Sequence, residues 1–268
     1  MILFKKFMIH IMVSFCVFLV IFPVFWIILE SIKPDHLSGQ TNVFIFNPTI
    51  KNWQEVFFES LVPVSIWNSL LVALSTVSIS IVLGAPAAYA IARYQVTDSI
   101  KFSILLSEML PPAILLLPLF LILYQLRLID SLIGVVVTHL TFVVPVITWF
   151  LIGFFNEIPR ELEEQAMVDG FSRPKAFVYI VLPLAKPGLG AAAIFGFVLS
   201  WNDLFYALIL TGPETRTLPV AIAGFWTFRG VDMPSMAVAI VISIVPVIVL
   251  AFYVQKYLIR GITGGMKQ

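Results

Sequence analysis

The chain has 268 residues, 60% of them hydrophobic and only 12% charged, with a mean hydropathy of +1.03. A soluble domain of average composition cannot hide that much apolar surface. With 16 Lys plus Arg against 15 Asp plus Glu and a net charge of +1, neither a basic nucleic-acid surface nor an acidic tail is indicated. The one cysteine, Cys16, lies in an apolar run and supports neither a disulfide framework nor a thiolate metal site.

A bilayer core of about 30 Å needs about 20 apolar helical residues. Six stretches meet that length: Phe7–Leu29, Val64–Ala92, Phe102–Tyr124, Leu132–Phe155, Gly188–Leu210 and Ser235–Gln255. Leu, Ile, Val and Phe fill them without alternation, and each is too long for a barrel strand, so they read as helices. Prolines inside them, such as Pro23, Pro86, Pro111, Pro112, Pro118 and Pro246, predict kinks that neighbouring helices tolerate. The expected fold is all-α: one polytopic membrane domain over residues 1–268.

Six spans place both termini on one side, and 11 of the 16 Lys and Arg residues fall on that side. The positive-inside bias therefore predicts cytoplasmic termini in a cell membrane. The first span is longer than the apolar core of a signal peptide, and no A-x-A site precedes Lys33. The stretch Glu30–Pro63 after it, with Trp53, Phe57 and Phe58, predicts a helix lying at the interface.

Between the fourth and fifth spans, residues 156–183 form the only dense polar stretch. It reads as two short helices with an elbow. Pro159 suits a helix start, Glu161, Glu163 and Glu164 sit near the positive dipole end, and Arg160 is placed to pair with Glu164. Asp169-Gly170 predicts the stop, Ser172 a cap for the second helix, and Pro183 its end. Leu162 with Ala166, and Phe177 with Ile180 and Val181, make apolar faces. A hairpin this small has no core of its own, so those faces rest either on its own spans or in a groove of a partner.

Glu164, Ala166 and Gly170, then nine residues, then Ile180, Leu182 and Pro183 resemble the EAA coupling loop of binding-protein-dependent ABC importer permeases. The usual alanine at the second position is Gln165 here, a mild departure. Met109-Leu-Pro, Trp201-Asn-Asp203 and the tail Gln255-Lys-Tyr-Leu-Ile-Arg-Gly261 extend the likeness to the carbohydrate-uptake branch, the maltose-permease G-type subunit. The resemblance implies a non-catalytic subunit that forms half a pathway for a sugar, oligosaccharide or polyol. It implies a second permease, an ATPase dimer holding ATP and Mg, and an extracytoplasmic solute-binding protein. Glu164 is then expected to pair with an ATPase arginine, Gly170 to permit the elbow, and Phe171 and Phe177 to fill the ATPase cleft. A tail contact around Gly264 and Gly265 with the ATPase is a further implication.

No G-x-x-x-x-G-K-[ST] cradle is present, so an ATP-driven function needs another subunit. An ion-coupled carrier predicts an internal repeat and paired ionisable residues, and an intramembrane enzyme predicts a constellation such as H-E-x-x-H; neither is found in the sequence. A non-sugar cargo such as glycerol phosphate stays open. Glu108 and Asp203 are charges in spans and, with Asn68 and Asn202, are the candidate pore or substrate residues. His10 and His139 read first as interhelical hydrogen bonders. The hydroxyl-rich second span fits either close packing or a polar wall, and Trp149 and Trp226 either stack a sugar or anchor at the interface.

Overall fold

The computed structural model describes the backbone of residues 2–94, 96–227 and 230–264; side chains are described for residues 5–94, 96–107, 109–227 and 230–252. Among the described residues, thirteen α-helices follow in chain order. α1 (Ile2–Ser31) leads to α2 (Lys51–Phe58) and the long α3 (Val62–Arg93). α4 (Asp98–Met109) and α5 (Pro112–Gln125) precede α6 (Leu132–Glu157). α7 (Glu161–Val168), α8 (Arg173–Ala176) and α9 (Leu182–Leu184) form the polar loop, with a π-helical segment Phe177–Val181 between α8 and α9. α10 (Lys186–Trp201), α11 (Phe205–Leu210), α12 (Leu218–Ala223) and α13 (Met233–Gly264) complete the bundle. A hairpin of two two-residue strands, β1 (Trp226–Thr227) and β2 (Gly230–Val231), precedes α13.

Among the described residues, four helices are long and apolar enough to cross a membrane, and two bent pairs bring the number to six when each counts as one span. Pro23, Pro86, Pro118, Pro145 and Pro246 all sit inside continuous helices. The third stretch breaks between α4 and α5 at Leu110-Pro111, where Pro112 opens the new helix. The fifth stretch, read as one helix over Gly188–Leu210, is interrupted at residues 202–204, where the Asp203 carboxylate accepts from the Ala207 backbone N–H at 3.1 Å. Its start also differs: Pro183 does not end the preceding helix. The π-helical turn before it widens the ladder around the missing proline N–H, and the chain bends by 76° between Leu184 and Lys186.

α3, with 32 residues, is about 48 Å long, more than the hydrocarbon thickness. α3 packs along α6, and α10 lies against both. The approach is close because small residues line it. A Cβ at Gly84 would come within 2.9 Å of Thr148 Oγ1 and 3.3 Å of Ile147 Cγ2. Ala85, Ala88, Ala92, Val143, Ile147, Leu151, Phe155, Val181 and Ala185 form one core cluster toward α7. Val56, Val62, Ala73, Trp201, Leu218 and Val238 form another at the α2 end, where the Trp201 indole donates to the Ser243 carbonyl at 3.1 Å.

The loops at the α2 end are fixed by buried polar groups. Lys33, 1% exposed, donates to Glu30 Oε2 at 2.7 Å and to the Gln40 carbonyl at 3.0 Å, and lies 5.0 Å from the Trp26 ring. Asn52 of the amphipathic α2 donates to the Ser31 and Lys33 carbonyls. Asp130, at the α5–α6 turn, accepts from Gly212 N at 2.7 Å and from the Thr215 hydroxyl, which hold its carboxyl below the ordinary value of 3.8.

Two outcomes are expected. Gly84→Leu forces α3 and α6 apart and lowers stability by about 1–3 kcal/mol, measured as a fall in thermal unfolding temperature in detergent. The Asp130 contact favours the ionised form, so it is present above about pH 4 and lost as pH falls through the lowered folded value. Protease resistance of residues 211–217 should show that acid loss in the wild type and be flat with pH in Asp130→Asn.

Candidate functional site

The polar loop is anchored by one carboxylate. Glu163 of α7, 7% exposed, accepts from the Tyr89 hydroxyl at 2.6 Å and from Arg93 Nε at 2.5 Å, both on the last turns of α3. The same guanidinium donates through Nη1 to the Phe155 carbonyl at 2.7 Å and through Nη2 to the Ile158 carbonyl at 2.9 Å. Those carbonyls belong to the end of α6, where helical acceptors lack intrahelical partners and a cation complements the dipole. Arg93 thus joins α3, α6 and α7.

Arg160, expected to pair with Glu164, instead donates to the Ala92 carbonyl at 3.2 Å. The apolar stripe expected at Leu162 and Ala166 is replaced: Glu163 and Ala166 face inward, and Leu162 is exposed. The inward position accepts a charge because Arg93 and Tyr89 wait there. Sequence reasoning missed Glu163, although its three-residue spacing from Ala166 and an arginine ending the second span were the available signals.

The elbow is a Schellman turn. Gly170 N donates to the Met167 carbonyl at 3.1 Å, Phe171 N donates to the Ala166 carbonyl at 3.0 Å, and Gly170 has φ +93°. Space is free around the glycine, with nothing within 4 Å of an added Cβ, so backbone conformation alone selects it. Ser172 occupies the cap position of α8 but makes no side-chain cap bond.

Beyond the elbow the expected face divides. Phe177, expected in the ATPase cleft, turns to the bundle instead, with its ring 4.5 Å from Tyr89 and 6.1 Å from Phe155. Ala166 is buried, and Ile180 and Leu182 are half-buried; Pro183 is exposed. On the other face, Glu164, Val168, Gly170, Phe171 and Tyr179 are exposed, with Val168 at 88%, and the Phe171 and Tyr179 rings meet edge-on at 6.4 Å. Between the two faces, a pocket of about 280 Å³ is lined by Tyr94, Arg160, Glu164, Met167 and Arg173 besides the anchor residues. One side of the loop is therefore bolted to the bundle, and the other is apolar, acid-edged and free.

The remaining candidates lie elsewhere. His139, fully buried, bonds Ser200 Oγ at 2.7 Å and Asp203 Oδ2 at 3.1 Å. Asp203 thus ties α6 to the α10–α11 break, and neighbouring Asn202 is exposed in that break. Asn68 gives its amide hydrogens to the Glu214 and Arg216 carbonyls at 2.8 and 3.1 Å, so its donors hold a loop. The side chain of Glu108 and residue Gly265 lie outside the described residues.

The chain is similar to known proteins along most of its length. Residues 80–264 match the family model for the binding-protein-dependent transport system inner membrane component. The chain belongs to this family. It is a permease subunit of an ABC importer, a transport subunit rather than an enzyme; nucleotide binding in the family resides on a separate ATPase. The permease is 36% identical over 248 residues to the trehalose transport system permease protein SugB of Mycobacterium tuberculosis, covering 91% of this chain and 90% of that protein. It is 31% identical over 255 residues to the trehalose/maltose transport system permease protein MalG of Thermococcus litoralis, covering 91% and 90%. Its fold matches a crystal structure of a bacterial ABC transporter involved in the import of the acidic polysaccharide alginate, with a TM-score of 0.79, 22% identity, and 95% and 96% of the two chains covered.

In the permease, Glu163→Ala strands a buried guanidinium and should cost about 3–5 kcal/mol, while the double variant Arg93→Met/Glu163→Leu should cost less than the single one. Thermal unfolding in detergent compares them. Gly170→Ala should cost about 1–2 kcal/mol by backbone strain alone, and Gly170→Asn less.

Proposed function

We propose that this permease forms half of the translocation pathway for a sugar, oligosaccharide or related polyol, paired with a second, related permease chain. Both termini and the α7–α9 loop face the cytoplasm, as the distribution of Lys and Arg supports. The exposed face of that loop docks on the ATPase: Glu164 pairs with an ATPase arginine, Phe171 enters the cleft, and Gly170 permits the elbow. Ala166, Ile180, Leu182 and Pro183 shape the hairpin behind that face. The α10–α11 break, with Asn202 exposed, is the proposed point of contact with the pathway.

One observation carries the coupling role: Glu163 faces inward into an ion pair while its neighbour Glu164 is exposed. ATPase closure then pulls on a loop that cannot slip relative to α3 and α6, and the helices follow as a body. The carbohydrate cargo is supported by the trehalose and maltose named for SugB and MalG.

The test is to purify the complex with its co-encoded partners and measure solute-dependent stimulation of ATP hydrolysis by the binding protein. Carbohydrates should stimulate, and Glu164→Lys or Gly170→Pro should release or uncouple the ATPase while membrane insertion persists. Stimulation by non-carbohydrate solutes alone contradicts the cargo; wild-type uptake by both variants contradicts the coupling role.

A further inference from the structure

The segment between α11 and α12 is held at several points. Asn68 clamps the Glu214 and Arg216 carbonyls, the Ser69 hydroxyl accepts from Leu218 N at 2.7 Å, and Asp130 holds Gly212 and Thr215. Arg216 therefore sits on fixed backbone. Its Nε is buried without an acceptor, and no hydrogen bond or ion pair of its guanidinium is present among the described residues. It lines a pocket of about 270 Å³ together with Leu208, Thr211, Gly212, Pro213 and Val220.

A desolvated guanidinium donor with no partner costs free energy, and here the backbone that carries it is held at Asn68, Ser69 and Asp130. It is pre-organised for an acceptor that arrives from outside. The planar fork of donors matches a carboxylate. The rest of the wall decides what carries that carboxylate. Leu208, Pro213 and Val220 suit a short methylene stem, whereas a sugar ring would face few partners for its hydroxyls.

We propose that Arg216 and this pocket form a socket for one Asp or Glu side chain of the solute-binding protein. The inference rests on the orientation given above, with the α11–α12 segment outside the cell. A bidentate or single charge-assisted bond would form there on docking, worth tenfold or more in affinity by the usual cost of truncating one partner of a buried charge pair.

The test is binding of the co-encoded solute-binding protein, solute-free and then with solute, to the assembled complex in lipid nanodiscs. Wild type, Arg216→Gln and Arg216→Lys are compared after co-elution of all subunits confirms assembly. Arg216→Gln should weaken binding about tenfold in the solute-free arm as well as the loaded one, Arg216→Lys should recover part of the loss, and Arg216→Glu should be rescued by an acid-to-lysine change in the binding protein. Equal affinity of Arg216→Gln and wild type overturns the socket while leaving the importer reading intact. A loss confined to the loaded arm assigns the pocket to a carboxylate on the solute and overturns it too. If the wild-type complex binds no solute-binding protein in either arm, the importer reading fails and the socket with it.

Discussion

The ion pair between Arg93 and Glu163 is the constraint on which the rest depends. Both side chains are nearly buried, at 7% and 9% exposed, in a region where an unpaired charge is costly. Arg93 also closes the end of α6 through the Phe155 and Ile158 carbonyls. Pulling α7 away from the bundle would therefore break an ion pair and leave a buried guanidinium without its carboxylate. That makes the joint stiff. A stiff joint is what a lever needs, because a loop hinged only by apolar contact would slide before it moved the helices.

The two ends of the bundle use different chemistry for the same purpose. At the loop end, one guanidinium gathers three helices. At the other end, Lys33, Asn52, Asn68, Ser69 and Asp130 tie loops to helix termini with backbone carbonyls and amides. Between them the helices meet through small residues and apolar clusters. The helices are interrupted instead at two breaks, residues 110–111 and 202–204, and at the 76° bend before α10. The His139–Asp203 bond places the second break against α6.

The helical spans were legible because long apolar runs have few alternative structures in a membrane. The elbow was legible because only glycine enters its conformation cheaply, and Gly170 has φ +93°. The orientation of individual side chains on α7 was not. Apolar periodicity pointed to Leu162 as the inward residue, but an arginine contributed from some 70 positions upstream reverses that preference in favour of Glu163. Local reasoning cannot see such a partner. The same applies to Phe177, whose neighbours Tyr89 and Phe155 come from two other helices, and to Arg160, drawn to a carbonyl of α3 rather than to the acid four residues ahead. The interruption at residues 202–204 was hidden because Trp201-Asn-Asp203 sits inside an otherwise continuous apolar run.

The stiffness of the joint is tested most directly by the ratio of solute taken up to ATP hydrolysed in proteoliposomes holding the complete complex. With Glu163→Gln, which keeps the shape but removes the charge and so the ion pair, the ATPase should still bind and hydrolyse while uptake per ATP falls several-fold. An unchanged ratio, with the variant fully assembled, would contradict it.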